Sequence, residues 1–557
     1  MSQSHFYPLL AAILALSTSK LPAQTVGGGV EILHSHEGLN AYDYMGAAAD
    51  GIGDVDQDGV PDYAVGVPGF DHGGTTVRGK VDIYSGATGA LLDTLNDGAP
   101  SSFGERLAGI GDVDLDGVDD LLIAGTYRDS SSGLEDAGRV YVYSGATRVL
   151  LHQVEGSRAH GEFGRHLVAT EDIDQDGAAD FLVGVPQSLG VPGHVQAYSG
   201  ATGNLIHDIV PPAGTRSYGK IFTSPGDVDG DGAADLMIYG SLAGSFSEPY
   251  QPKIHIYSGA TGQLIQEHSP PSAASEYVIV LSVCGDYDGD GRDDLLWTEH
   301  LSESPLARIV SGVTGSTLFE LNPVGGSAFP FFGIEKAADI DGDGSNDFIL
   351  NGSVMEPETT GYEVYSGLDG TLLYRQYAEL GDSWGNVARG IGDLDGDGRS
   401  EVLFTVLFHH SASAIFVGQA QVHGWDPYLE SSHSELSSAT GGSVSFQLDF
   451  PLTQAGQSYR ILASHHGSGP SMIGGLQIPL TQSGHLWDVF TLAQAPAWFT
   501  GGEGLLNTSG QALASFTAPA GRLSSMVGLT VHFAAVTWDS SQGLQSSSAA
   551  VPLEILP

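Results

Sequence analysis

Seven short stretches of the chain set acidic residues at alternate positions. The first, GDVDQDGVPD, carries Asp54, Asp56, Asp58 and Asp62 around Val60. The second carries Asp112, Asp114, Asp116 and Asp120 around Val118, and the third Asp172, Asp174, Asp176 and Asp180 around Ala178. Then come Asp227, Asp229, Asp231 and Asp235 around Ala233, and Asp286, Asp288, Asp290 and Asp294 around Arg292. The last two are Asp339, Asp341, Asp343 and Asp347 around Ser345, and Asp393, Asp395, Asp397 and Glu401 around Arg399. Carboxylates packed this closely repel one another, and some must protonate unless a cation joins them. Ca²⁺ takes six to eight oxygens at about 2.3–2.6 Å, whereas Mg²⁺ prefers a rigid octahedron that keeps waters. Positions 1, 3, 5 and 9 of each loop offer carboxylates. Position 7 offers a backbone carbonyl, which leaves its side chain free to vary. A glycine at position 6, such as Gly59 or Gly117, permits the tight curl. The reading is one Ca²⁺ per loop, up to seven. An EF-hand requires Glu at position 12 and flanking helices. Position 12 is Val65 in the first loop and Ile123 in the second.

The loops recur every 53 to 60 residues, so the elements that hold them must repeat as well. An aromatic–glycine pair precedes most of them: Phe103–Gly104, Phe163–Gly164, Tyr218–Gly219, Phe332–Gly333 and Trp384–Gly385. Apolar runs bounded by glycine follow, as in DYAVGVP and GKVDIYSG, then a turn of the SGATG type and a further run, as in GALLDTL. These are strand and hairpin signals, and each unit reads as four strands. The expected fold is all-β: a seven-bladed β-propeller over 25–425, which answers the edge problem by radial repetition. The seventh unit lacks a fourth strand, because WDPYLESSHS follows AQVHG. Residues 29–35, with Val30, Ile32 and Leu33, are expected to supply it.

The order aromatic–Gly, DxDxDGxxD, then GVP at Gly66 and Gly184 resembles the FG-GAP repeat of integrin α-chain propellers and their bacterial relatives. The resemblance covers roughly residues 30–425. The fifth unit departs from it, with no glycine after the aromatic of SEYVIVLSV and with Leu296–Thr298 in place of GAP. The resemblance implies Ca²⁺ in the loops and a role in extracellular recognition or adhesion, with a protein or glycan as the ligand. The variable segments 70–78, 127–137 and 241–251 are the expected recognition loops.

A formal charge of −47 argues against nucleic acid and anionic membranes as partners. FYPLLAAILAL followed by small and polar residues reads as a signal peptide over 1–24, implying a secreted or cell-surface protein. The single cysteine, Cys284, permits no intramolecular disulfide and reads as a buried thiol. Residues 426–442 are Ser/Gly-rich and read as a linker. From 443 to 557, alternation at Val444, Phe446, Leu448 and Phe450 and at Leu529, Val531 and Phe533 predicts a small antiparallel β-sandwich. No G-x-S-x-G, H-E-x-x-H or P-loop is present, and no catalytic residue is assigned. The enzyme alternatives are an exported hydrolase with a propeller-face pocket and a quinoprotein-like dehydrogenase. The latter rests on the turn motif alone, since the Trp repeat of that family and its vicinal disulfide are missing. His465 and the pair His409–His410 read as loop histidines without a third metal ligand. Asn351 and Asn507 match glycosylation acceptors.

Overall fold

The computed structural model describes residues 28–557 except 71–77, 186–191, 217, 243–250, 270–277, 301–304, 322–330, 342–344, 356–357, 368–369, 371, 379–384, 412–413, 466–470, 474–475, 481–498 and 540–542. The expected signal peptide therefore lies outside the described residues, as do Asp343, Trp384 and much of two of the three expected recognition loops.

The chain folds as a β-propeller. Among the described residues seven antiparallel sheets share this pattern: in five of them four strands lie side by side in chain order, the fourth adds the short strand Thr215–Arg216, and the seventh takes its outer strand from the N-terminal segment. In the second sheet these are Arg106–Gly111, Asp120–Gly125, Arg139–Tyr143 and Leu150–Glu155. The second strand of that sheet is buried throughout, because apolar residues on both faces meet a neighbouring sheet. The outermost strand alternates between exposed and half-buried residues.

Seven apolar clusters join each sheet to the next. One packs Ile83 against Phe103, Leu107 and Ile123 across the first and second sheets. Another packs Tyr63 and Val65 of the first sheet against Leu403 and Val422 of the last, so the ring closes on itself. The aromatic of the aromatic–glycine pair fills this seam: Phe103 is 0% exposed and Phe163 2%. Its glycine allows close backbone approach. A Cβ on Gly66 would lie 2.0 Å from the carbonyl oxygen of Gly104, and one on Gly184 2.3 Å from that of Gly219. The recurring glycines of the second strand are thus explained by the neighbouring unit.

Polar side chains on the outer strands latch consecutive sheets. His34 Nε2 donates to the Gly86 carbonyl at 2.7 Å, His152 to that of Ala201 at 2.6 Å and His207 to that of Gly259 at 2.5 Å. Gln266 makes the same bridge to Gly312 at 3.0 Å.

The expected ring closure by the N-terminal segment is observed. Strand Gly29–Glu37 pairs antiparallel with Gln419–Asp426 and is the outermost strand of the sheet containing Gly385–Gly390 and Val402–Val406. It runs two residues beyond the expected 29–35.

After Asp426 the described residues build three further sheets: a hairpin of Ser471–Ile473 with Leu476–Ile478, and two larger sheets that share one core. Val444, Phe446 and Leu448 project from the first of these two, and Ile461, Phe533 and Leu553 from the second. Three expectations are corrected here. The stretch 426–442 is not a plain linker: Leu429–Ser431 pairs with Gly441–Asp449, and Glu435–Ser437 pairs with Val551–Leu556. The second of these pairings is parallel, so this unit is not purely antiparallel. Leu529 precedes the strand Thr530–Asp539 and is 39% exposed, so it does not share the inward face of Val531 and Phe533.

Candidate metal centres

Each acidic loop joins the first and second strands of its sheet. Its backbone is wound by its own carboxylates. In the first loop Asp54 Oδ1 accepts the Asp58 N–H at 3.0 Å, and Asp54 Oδ2 accepts the Gly59 N–H at 2.8 Å. Asp56 Oδ1 also accepts from Asp58, and Asp58 Oδ1 accepts from Val60 at 2.9 Å. The second, third, fourth and fifth loops repeat the position-1 and position-5 bonds.

In the six loops whose positions 4 and 6 are described, both residues adopt left-handed backbone. Position 6 is always glycine, with φ +95° at Gly59 and +91° at Gly117. Position 4 is Gln57, Leu115 or Gln175 at φ near +61° in the first three loops and glycine in the fourth, fifth and seventh. The outcome is convergence. One oxygen each from Asp54, Asp56 and Asp58 lies within 4.8 Å of the others, as do those of Asp112, Asp114 and Asp120. The same holds for Asp172, Asp174 and Asp180, for Asp227, Asp229 and Asp235, and for Asp286, Asp288 and Asp290. Oxygen donors converging from a tightly wound loop suit a hard divalent cation of the Ca²⁺, Mg²⁺ or Mn²⁺ kind.

The position-9 acid has a second role that the sequence did not reveal. Asp62 is 0% exposed. Its Oδ2 accepts the N–H groups of Val55 and Asp56, and its Oδ1 accepts that of Gly86, in the turn between the third and fourth strands. Asp120 brackets Val113, Asp114 and Gly145 in the same way. Asp180 does so with Gly200, Asp235 with Gly259, Asp294 with Gly312 and Asp347 with Gly367. One carboxylate therefore ties the metal loop to the hairpin turn.

The turn glycine is required by contact. A Cβ on Gly145 would lie 1.7 Å from the Asp119 carbonyl oxygen, and one on Gly86 1.8 Å from that of Pro61. We expect Gly145→Ala to destabilise the protein by about 2 kcal/mol or more, because only backbone movement relieves such an overlap. A urea midpoint unchanged from wild type would show that the turn has room.

Burial pushes the carboxyls of Asp62, Asp180 and Asp235 up to about 6, against the opposing effect of their backbone hydrogen bonds. Nearby loop aspartates add to the rise. A cation beside these buried acids would favour their ionised form and offset the repulsion between them.

The seventh loop departs from the others for a visible reason. Its sheet takes its outer strand from the N-terminus, so no SGATG turn stands opposite position 9. Glu401 fills that position and accepts the Leu394 N–H. Burial, then the charges of Asp395, Asp397 and Asp393, push its carboxyl up to about 8. In the sixth loop Asp343 lies outside the described residues, while Asp347 keeps its bracket to Ile340 and Asp341.

Other candidates resolve differently. Asn351 is 3% exposed within strand Phe348–Met355 and is not available to a glycosyl group. Asn507 is exposed, and its Oδ1 accepts the N–H groups of Ser509 and Gln511. His409 lies 3.4 Å from Glu37 in an ion-pair geometry. Cys284 lies in strand Val278–Gly285, and its side chain is outside the described residues.

Fold and loops together define a β-propeller of FG-GAP-type repeats. Comparison with known proteins points the same way. A 227-residue stretch is 27% identical to integrin alpha-5 of Xenopus laevis, covering 37% of this chain and 21% of the relative. A 246-residue stretch is 26% identical to integrin alpha pat-2 of Caenorhabditis briggsae, covering 40% of this chain and 20% of the relative. A 143-residue stretch is 35% identical to integrin alpha-PS2 of Drosophila melanogaster, covering 24% of this chain and 10% of the relative. The matched stretches thus span about a fifth or less of these relatives. No family profile matches the chain. A solved structure described as the Dos1 propeller aligns with 65% of this chain and 74% of its own, at 10% identity and a TM-score of 0.37.

Proposed function

We propose that the protein is a secreted or cell-surface recognition module whose seven sheets are the blades of a Ca²⁺-stabilised propeller. Each acidic loop holds one ion through its position-1, -3, -5 and -9 carboxylates and its position-7 carbonyl. The C-terminal unit is a β-sandwich attached to this platform. The ligand is a protein or glycan outside the cell. The observation carrying the reading is the recurrence of convergent carboxylates at the same place in sheet after sheet. Similarity to integrin α chains supports the recognition role.

The loops and the SGATG-type turns share one face of the propeller. The connections between second and third strands, such as 127–137, lie on the other and are free to vary for ligand choice. In a screen of immobilised glycans and extracellular-matrix proteins, binding should appear in millimolar Ca²⁺ and disappear in EGTA. Binding indifferent to EGTA would separate recognition from the ions. Replacing Asp112 and Asp114 together by Ala should remove about one ion per chain and leave the other loops loaded. Loss of every ion in that variant would contradict independent, blade-by-blade sites.

A further inference from the structure

The seventh loop differs from the others in its surroundings as well as its sequence. It faces the C-terminal unit. Arg399, at position 7, has its Nη1 3.1 Å from Asp397 Oδ2 and its Nη2 2.7 Å from Glu430 Oε1. Asp397 is the position-5 carboxylate of the loop, and Glu430 lies in the strand Leu429–Ser431 of the C-terminal unit. One guanidinium thus spans a loop carboxylate and the docked unit.

The contact surrounds a cavity of about 270 Å³. Six carboxylates line it: Glu31, Asp395, Asp397, Asp426, Glu430 and Asp449. Arg399 is the only basic residue in the lining. Two separate backbone bonds hold the same junction. The Gly28 N–H donates to the Ser547 carbonyl at 3.1 Å, and the Ala549 N–H to the Pro427 carbonyl at 2.8 Å. Tyr428 stands where a Cβ of Gly29 would be, its hydroxyl 1.7 Å away. The ring-closing strand, the seventh loop and the C-terminal unit therefore meet at one place.

We infer that cation occupancy of the seventh loop controls docking of the C-terminal unit on the propeller. This rests on the reading of the loops as cation sites. Loop and closing strand bring Asp395, Asp397 and Glu31 to the junction, Asp426 ends the last strand of the propeller, and the C-terminal unit brings Glu430 and Asp449. A single guanidinium does not balance them. A divalent ion seated among the loop carboxylates lowers the repulsion across the gap at a distance of a few ångströms, where screening by salt is weakest. Without the ion, like charges oppose one another across the gap, against two backbone bonds, the Arg399 bridge and the packing of Ala549 on the propeller. Among the described residues it is the seventh loop that the C-terminal unit adjoins, so the coupling is assigned to that loop.

The test uses the full chain with limited proteolysis between Pro427 and Gly442, together with a fluorescence distance between one label on the propeller and one on the C-terminal unit. Calcium content is measured in parallel. In Ca²⁺ the junction should resist cleavage and the distance should be short. EGTA should speed cleavage about tenfold or more, since cleavage follows the population of the open form. Asp393→Asn with Asp395→Asn should open the junction in Ca²⁺ and lose about one ion. Asp112→Asn with Asp114→Asn should lose one ion and leave the junction closed. Both double variants should keep the wild-type circular dichroism spectrum and the ions of the untouched loops, which separates an opened junction from misfolding. Loss of one ion from the seventh loop with the junction still closed overturns the coupling and leaves the metal reading standing. A wild-type chain that binds no Ca²⁺ overturns both.

Discussion

A chain lacking Gly28–Glu37 should lose roughly 5 kcal/mol or more of propeller stability and should aggregate. The segment makes eight register pairs with Gln419–Asp426. It also carries His34, which bridges to Gly86, and His36, whose ring stacks on Tyr84 at 3.8 Å and whose Nε2 lies 2.7 Å from the Tyr63 hydroxyl. Its removal strips the outer strand from the last sheet and the latch from the first, at the one seam where the two ends of the ring meet. It also exposes a row of unpaired backbone groups along Gln419–Asp426, which is a template for pairing between chains. Calorimetry and size-exclusion chromatography check this. A truncated chain that stays monomeric with an unshifted transition would show that the ring is closed by packing alone.

The second large effect separates the two roles of the position-9 carboxylate. Asp120→Ala leaves the N–H groups of Val113, Asp114 and Gly145 without their acceptor in a buried place. At about 1–3 kcal/mol for each unsatisfied group, partly relieved by water, the cost should reach about 3–5 kcal/mol. It should persist in EGTA, since the bonds do not need the ion. Asp116→Ala makes the contrast. Asp116 is exposed and holds only the Val118 N–H within its loop, so in EGTA its loss should cost under about 1 kcal/mol. In Ca²⁺ both variants should lose one ion. Urea titrations in EGTA that give the two variants equal midpoints would contradict the bracket.

The repeated units were legible in the sequence because contact chemistry fixes the residues that mark them. Gly66 is glycine because the carbonyl of Gly104 lies against it, and Gly59 because the loop backbone turns left-handed there. The missing fourth strand of the seventh unit was legible for the opposite reason: Pro427 and a polar run stand where an apolar strand belongs, and only the N-terminal segment carries the pattern. The bracket at position 9 was not legible. Its partner in the hairpin turn lies 24 residues on in the first unit, and nothing local ties Asp62 to Gly86. The histidine latches escaped notice because a polar residue on an outer strand reads as solvated. The stretch 426–442 misled through composition. Leu429–Ser431 and Glu435–Ser437 are three-residue strands held by ladder partners far along the chain, and Ser-rich sequence does not announce such pairing. Glu401 stands where the other six loops have Asp, and the reason, the absent turn opposite it, lies outside the loop's own sequence.

The central claim is that the acidic loops hold calcium in the folded chain. Its most direct measurement is the Ca²⁺ content of the purified protein by elemental analysis, with thermal unfolding followed in millimolar Ca²⁺ and in EGTA. Ligands that bind only the native state raise its stability by mass action, and extracellular Ca²⁺ sites have affinities of roughly 0.1–1 mM. Several ions per chain, up to seven, are expected, with a transition that falls by several degrees or more in EGTA. A chain without bound metal, melting at the same temperature in both buffers, would contradict it.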